Sequence, residues 1–161
     1  MGYWGVKSYE EDDADFALDA GFERVHGAVY LQLMDDRDPT PLEEVQRRLA
    51  DRRTLAAALN ALANEFQGRP LEEYDDDQRI SYCGVVVRHV ECGVVPPRAV
   101  RDRALRWLQE ETVEWDDPAA RRRRLAWEIE LLRRTAVVEI EEDTAPLPDA
   151  DAPASESSRR E

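Results

Sequence analysis

A chain of 161 residues with 36 acidic against 22 basic side chains carries a formal charge of −14, which argues against nucleic acid as a partner because phosphate binding needs a basic footprint. The length suffices for one domain with a buried core, and no run of eighteen apolar residues is present to cross a membrane. Two cysteines, Cys83 and Cys92, are too few for a disulfide scaffold and point to a reducing compartment.

The chain opens Met1-Gly2-Tyr3-Trp4-Gly5-Val6-Lys7-Ser8-Tyr9 and turns acidic at Glu10. Gly2 and Gly5 release the backbone, so Tyr3, Trp4 and Tyr9 are expected to fold back as an aromatic plug sealing the core. A helix should begin near Glu11 to Asp13, where carboxylates meet the positive end of the helix macrodipole. Asp12, Asp15 and Asp19 share one face of it by their three- and four-residue spacing. No Asp-x-Asp-x-Asp-Gly pattern follows, so a calcium loop is not expected. The opening has no basic lead before an apolar core, and Val6 stands where a myristoylation motif requires Ser or Thr. A cytoplasmic location is the expectation.

Met1, Gly2, Trp4, Gly5, Tyr9, Asp12 and Ala14 together resemble the start of a bacterial family of domains of unknown function whose members open Met-Gly-x-Trp-Gly. The resemblance covers about the first eighteen residues, one helix start. Lys7 stands where that family has glycine, Glu11 where it has asparagine, and Asp15-Phe16 arrives one residue early. It implies a small bacterial protein and brings no activity with it.

Helical periodicity then runs through most of the chain. Leu18, Phe22, Val25, Val29 and Leu33 form one stripe, bent by Gly21 and Gly27. Asp38-Pro39-Thr40-Pro41 breaks it; Thr40 as N-cap, Pro41 at the first helical position and Glu43 three residues on open a second helix whose Leu42, Val45 and Leu49 face the core. After a break at Asp51 to Arg53, Leu55, Leu59, Leu62 and Phe66 define a third, stopped by Gly68-Arg69-Pro70. The acidic loop Glu72-Glu73-Tyr74-Asp75-Asp76-Asp77 leads into a helix over Asp75 to Cys92 with Ile80, Cys83, Val87 and Val90 on one face. Val100, Ala104, Trp107, Leu108 and Glu111 mark another.

A final helix carries Leu125, Ile129, Leu132 and Ala136. Arg121 to Arg124, the one cationic run, reads as helix surface with the four-residue pairs Asp117–Arg121 and Arg124–Glu128. Val137 to Glu141 alternates like a strand that lacks a partner. From Asp143 the chain is rich in Pro, Ala, Asp, Ser and Glu and should be disordered. The sequence therefore specifies an all-α domain, a compact bundle of five to seven amphipathic helices over residues 1–142, with a disordered acidic tail over 143–161.

Catalytic chemistry finds little support. His26, Cys83, His89 and Cys92 match the count of a zinc site, but a nine-residue spacing puts the two thiols on opposite sides of one helix. Buried thiols and a surface or interface histidine are expected instead. Glu23-x-x-His26 is half of a di-iron signature without its partner, since Val86 stands three residues before His89. A core-facing Cys83 is unreactive, Ser81 lacks a nucleophile elbow, and Gly68, Gly84 and Gly93 are isolated, so no phosphate loop forms. No catalytic residue, metal ligand or cofactor is assigned.

Two functions follow. The preferred one is a protein-interaction module, such as an acidic inhibitor or immunity-type protein capturing a basic protein partner through Tyr3, Trp4, Asp12, Asp15, Asp19, Glu72, Glu73, Asp75, Asp76 and Asp77, with neither nucleic acid nor membrane involved. The other is a metal-dependent hydrolase built on the same carboxylates.

Overall fold

The computed structural model describes residues 3–35, 37, 40–112 and 114–139. Among them are seven α-helices: α1 (Asp12–His26), α2 (Ala28–Leu33), α3 (Leu42–Leu49), α4 (Arg52–Glu65), α5 (Asp76–Glu91), α6 (Arg98–Gln109) and α7 (Pro118–Arg134). The fold is all-α, and no helix is long and apolar enough to cross a membrane. The expected tail over 143–161 lies outside the described residues.

The caps explain where the long helices begin. Glu11 accepts from the N–H groups of Asp13 and Ala14, Asp51 and Thr54 form a reciprocal capping box on α4, Asp75 and Gln78 form another on α5, and Asp117 accepts from the Ala120 N–H at the start of α7. Each satisfies backbone donors that a helix start leaves open.

α5 is the axis of the bundle. Every residue from Ile80 to Val90 is buried, so it packs on all sides, as an all-round buried helix must. The β-branched run Val85-Val86-Val87 is accordingly helical. Contacts fix the directions of the others. Gly21 of α1 lies against the Ala58 backbone of α4, and the start of α1 faces the end of α4 through Asp13 and Glu65. Cys83 of α5 donates to the Ala104 carbonyl of α6 at 3.4 Å, and Arg79 reaches Glu110. Arg101 of α6 donates to the Leu132 carbonyl of α7. Helices α4 to α7 thus alternate in direction along the chain, and α1, α5 and α7 all start at the end where α4 and α6 stop. The core between them joins Leu18, Phe22, Leu55, Leu62, Val86, Trp107, Leu108 and Leu132.

Several expectations are corrected. Gly27, at φ 54°, ends α1 and re-aims α2, so Tyr30 enters the core where Val29 was expected and Val29 is exposed. A residue with a side chain is strained at that angle. Helix α3 starts one residue late, with Pro41 at the N-cap and no side-chain cap, which leaves Thr40 outside the helix; of its expected inward residues Leu42 is exposed while Val45 is buried. Glu111 and Ala136 lie beyond the ends of α6 and α7. The expected strand is reduced to one bridge, with the Val138 N–H donating to the Pro96 carbonyl and the Arg98 N–H to the Val138 carbonyl; residues 140 and 141 lie outside the described residues.

Histidine placement also departs from expectation. His26 is half-buried with Nε2 2.8 Å from the Leu49 carbonyl. His89 is interior: its ring stacks on Phe22, Nε2 lies 2.8 Å from Thr54 Oγ1, and Nδ1 lies 2.9 Å from the Val85 carbonyl. Burial, aided by Arg88 and opposed by the Val85 bond and Asp51, pulls its pKa down from 6.5 to about 4. Cys83, also interior, has its thiol pKa pushed well up by burial.

The folded protein therefore keeps His89 neutral where the unfolded chain protonates it. Between pH 6.5 and about 4 the unfolded state binds the extra proton, so His89 lowers stability as pH falls through that window, by about 3 kcal/mol in all. An NMR titration of the folded protein should show the His89 imidazole neutral until about pH 4. A midpoint near the ordinary value would overturn the interior assignment.

Candidate interaction surface

The acidic helix starts meet because the helices alternate. At the shared end of α1, α5 and α7 lie Asp12 and Asp13, then Asp75, Asp76 and Asp77, then Asp116 and Asp117. The stops of α4 and α6 add Glu65 and Glu110, and Glu72 and Glu73 occupy the 3₁₀ turn Leu71–Glu73 just before α5. Arg69, Arg79, Arg106 and Arg121 each lie within four residues of one of these carboxylates, and the exposed Arg122 and Arg123 follow on α7; Arg79 is paired with Glu110. The like charges act on one another: burial raises the Asp13 carboxyl pKa, and Glu65, Asp12 and Asp77 raise it further. Burial, Asp19 and Asp12 do the same to Asp15. Such crowding of like charges opposes folding.

The loop before α1 crosses this end. Tyr3 pairs with Glu11 in a single antiparallel bridge, and the Trp4 N–H donates to the Glu10 carbonyl at 3.1 Å. Tyr3 donates to Asp77 at 2.5 Å and sets its ring 4.6 Å from that of Trp115. The aromatic lead thus ties the start of α5 to the segment before α7. Trp4 is not the expected seal. It is 56% exposed, and with Tyr3, Gly5, Val6, Glu114, Trp115, Asp116 and Asp117 it lines a pocket of about 430 Å³. Phe16, on the same face of α1 as Asp12, Asp15 and Asp19, is likewise half-exposed.

What holds the loop is a buried charge network. Gly84 lets the loop lie directly on α5, since a Cβ there would sit 2.5 Å from the Ser8 carbonyl oxygen. The Ser8 N–H and hydroxyl donate to the two oxygens of Glu128 at 3.0 and 2.5 Å. Arg121 donates to the Val6 carbonyl at 2.7 Å, to Ser8 Oγ at 3.0 Å and to both oxygens of Glu111 at 3.1 and 2.5 Å, with its guanidinium 4.2 Å from the Trp115 ring centre. Arg124 bridges Glu128 and Glu91 at 2.9 and 2.8 Å, and Tyr9 donates to Glu91. Burial pulls Glu91 upward, but the bonds from Tyr9 and Arg124 hold its carboxyl pKa below the usual value.

This corrects the reading of Arg121–Arg124 as surface. Arg124 does pair with Glu128, but Arg121 is 2% exposed, Glu128 is fully buried, and Asp117 caps α7 instead of pairing with Arg121. Arg122 and Arg123 are the exposed members of the run.

Of the sequence-derived candidates, Tyr3, Trp4, Asp12, Asp15 and Asp75 to Asp77 gather at the acidic end, with Glu72 and Glu73 on the adjoining turn. Asp19 sits farther along α1 and accepts from the Tyr30 hydroxyl at 2.5 Å, while Asp76 accepts from Thr112. Sequence reasoning missed Glu114, Trp115, Asp116 and Asp117. Their signal was legible, since an aromatic followed by acidic residues at a helix start repeats the pattern of the opening. Among the described residues no three or more His, Cys, Asp or Glu side chains are grouped to hold a metal ion.

Removing the guanidinium would leave Glu111 buried without its cation and Glu128 with Arg124 alone, so Arg121→Met should cost about 3–5 kcal/mol of stability in urea unfolding. A loss below about 1 kcal/mol, the worth of an exposed ion pair, would show that the network does not hold the loop.

Comparison with protein-family models, with curated proteins and with solved structures found no match.

Proposed function

We propose that the protein is an interaction module of the bacterial cytoplasm, an acidic inhibitor or immunity-type protein whose acidic end covers the basic site of a partner protein. The observation that carries this reading is the convergence of Asp12, Asp13, Asp75, Asp76, Asp77, Asp116 and Asp117 at one end of the bundle, beside the exposed Trp4. Complementary charge speeds encounter and selects partners, and a large exposed aromatic supplies contact area of the kind that dominates protein interfaces. The interior polar groups support the same reading from the other side. Ser8, Glu128 and Arg121 are occupied by one another, and Cys83 and His89 are enclosed, so none is offered to a substrate.

Association at this end should weaken steeply as salt rises, because exposed charges are screened beyond about 10 Å at 0.1 M ionic strength. Pull-down from a bacterial lysate at low and high salt tests this with a variant carrying Asp15, Glu72, Glu114 and Asp116 as lysine, and with a control carrying Glu23 and Glu130 as lysine. The expected outcome is a basic protein whose capture is lost at high salt and in the first variant but kept in the control. Capture that ignores both salt and charge reversal would overturn the proposal.

A further inference from the structure

The chain solves one recognition problem twice within itself. Arg121 lies 4.2 Å from the ring centre of Trp115 while Glu111 holds its N–H groups, and Arg124 lies 4.2 Å from the ring centre of Trp127 while Glu128 and Glu91 hold its own. Each is a guanidinium between an indole and carboxylates. The pocket at the acidic end has the same parts without the arginine. Trp4 supplies the indole, Glu114 and Asp116 the carboxylates, and Tyr3 and Trp115 the wall. Among the described residues no hydrogen bond or ion pair engages the side chains of Trp4, Glu114 or Asp116.

We propose that this pocket receives an arginine side chain of the basic partner, stacked on Trp4 with its N–H groups on Glu114 and Asp116. The inference rests on the interaction reading above and adds the chemistry of the anchoring residue. Arginine fits better than lysine because the planar guanidinium stacks on an indole while its edge still donates to carboxylates, whereas an ammonium is a compact, strongly hydrated point charge. A quaternary ammonium would satisfy the ring but has no N–H to give Glu114 and Asp116.

The test uses the full chain labelled with ¹⁵N and two peptides of equal length and charge, oligoarginine and oligolysine, at low salt. The Trp4 indole N–H signal should shift with oligoarginine and not with oligolysine, and oligoarginine should bind more tightly. Trp4→Ala should leave the unfolding midpoint unchanged, since the ring is exposed, and should weaken oligoarginine binding about tenfold, the scale of one cation–π contact. The double variant Glu114→Gln, Asp116→Asn should also remove the preference for arginine. Equal affinity for the two peptides with an unmoved Trp4 signal would overturn the pocket assignment while leaving the acidic end as a general electrostatic surface. Failure of both peptides to bind would overturn both.

Discussion

Arg121 is the side chain on which the arrangement of the acidic end depends. It is buried, and so are the two carboxylates it touches, Glu111 and Glu128. Charges so placed add little net stability, but each is costly to leave unpaired. The consequence is positional. Because Arg121 also donates to the Val6 carbonyl and to Ser8, and Glu128 accepts twice from Ser8, the loop before α1 can satisfy these groups in one placement. That placement sets Tyr3 against Asp77 and Trp115 and leaves Trp4 at the surface.

The division of labour between inside and outside is plain from the polar groups. Interior polar side chains pair with one another, Thr54 with His89, Ser8 with Glu128 and Gln46 with Arg88, while the buried Nε of Arg79 has no hydrogen-bond partner. Outside, at one end, carboxylates crowd until burial and mutual repulsion raise the pKa of Asp13 and Asp15. The first arrangement fixes a structure; the second is a surface with free energy to gain from a cation. The alternation of α1, α4, α5, α6 and α7 connects them, since it collects the starts of three helices, and acidic residues are placed at helix starts for local reasons of capping and dipole.

The sequence by itself determined the helices and most of their boundaries. Capping residues, Gly and Pro stops and the 3.6-residue period are local signals, and α4 and α5 follow them closely, as does the start of α1 at the acidic residues. It also singled out Tyr3, Trp4 and the Asp12 and Asp75 to Asp77 clusters as candidates. Where local signals competed, the tertiary structure decided: Gly27 turned the chain enough to exchange Val29 for Tyr30, and the β-branched residues of α5 stayed helical because that helix is covered on every side. Only the tertiary structure could place Arg121, Glu128, Glu111 and His89 inside, because a polar side chain is buried when partners from distant segments satisfy it, and Ser8 lies 120 positions from Glu128. The acidic end and its pocket were likewise out of reach of sequence alone, since residues 3–6 and 114–117 become neighbours only when the directions of five packed helices are known.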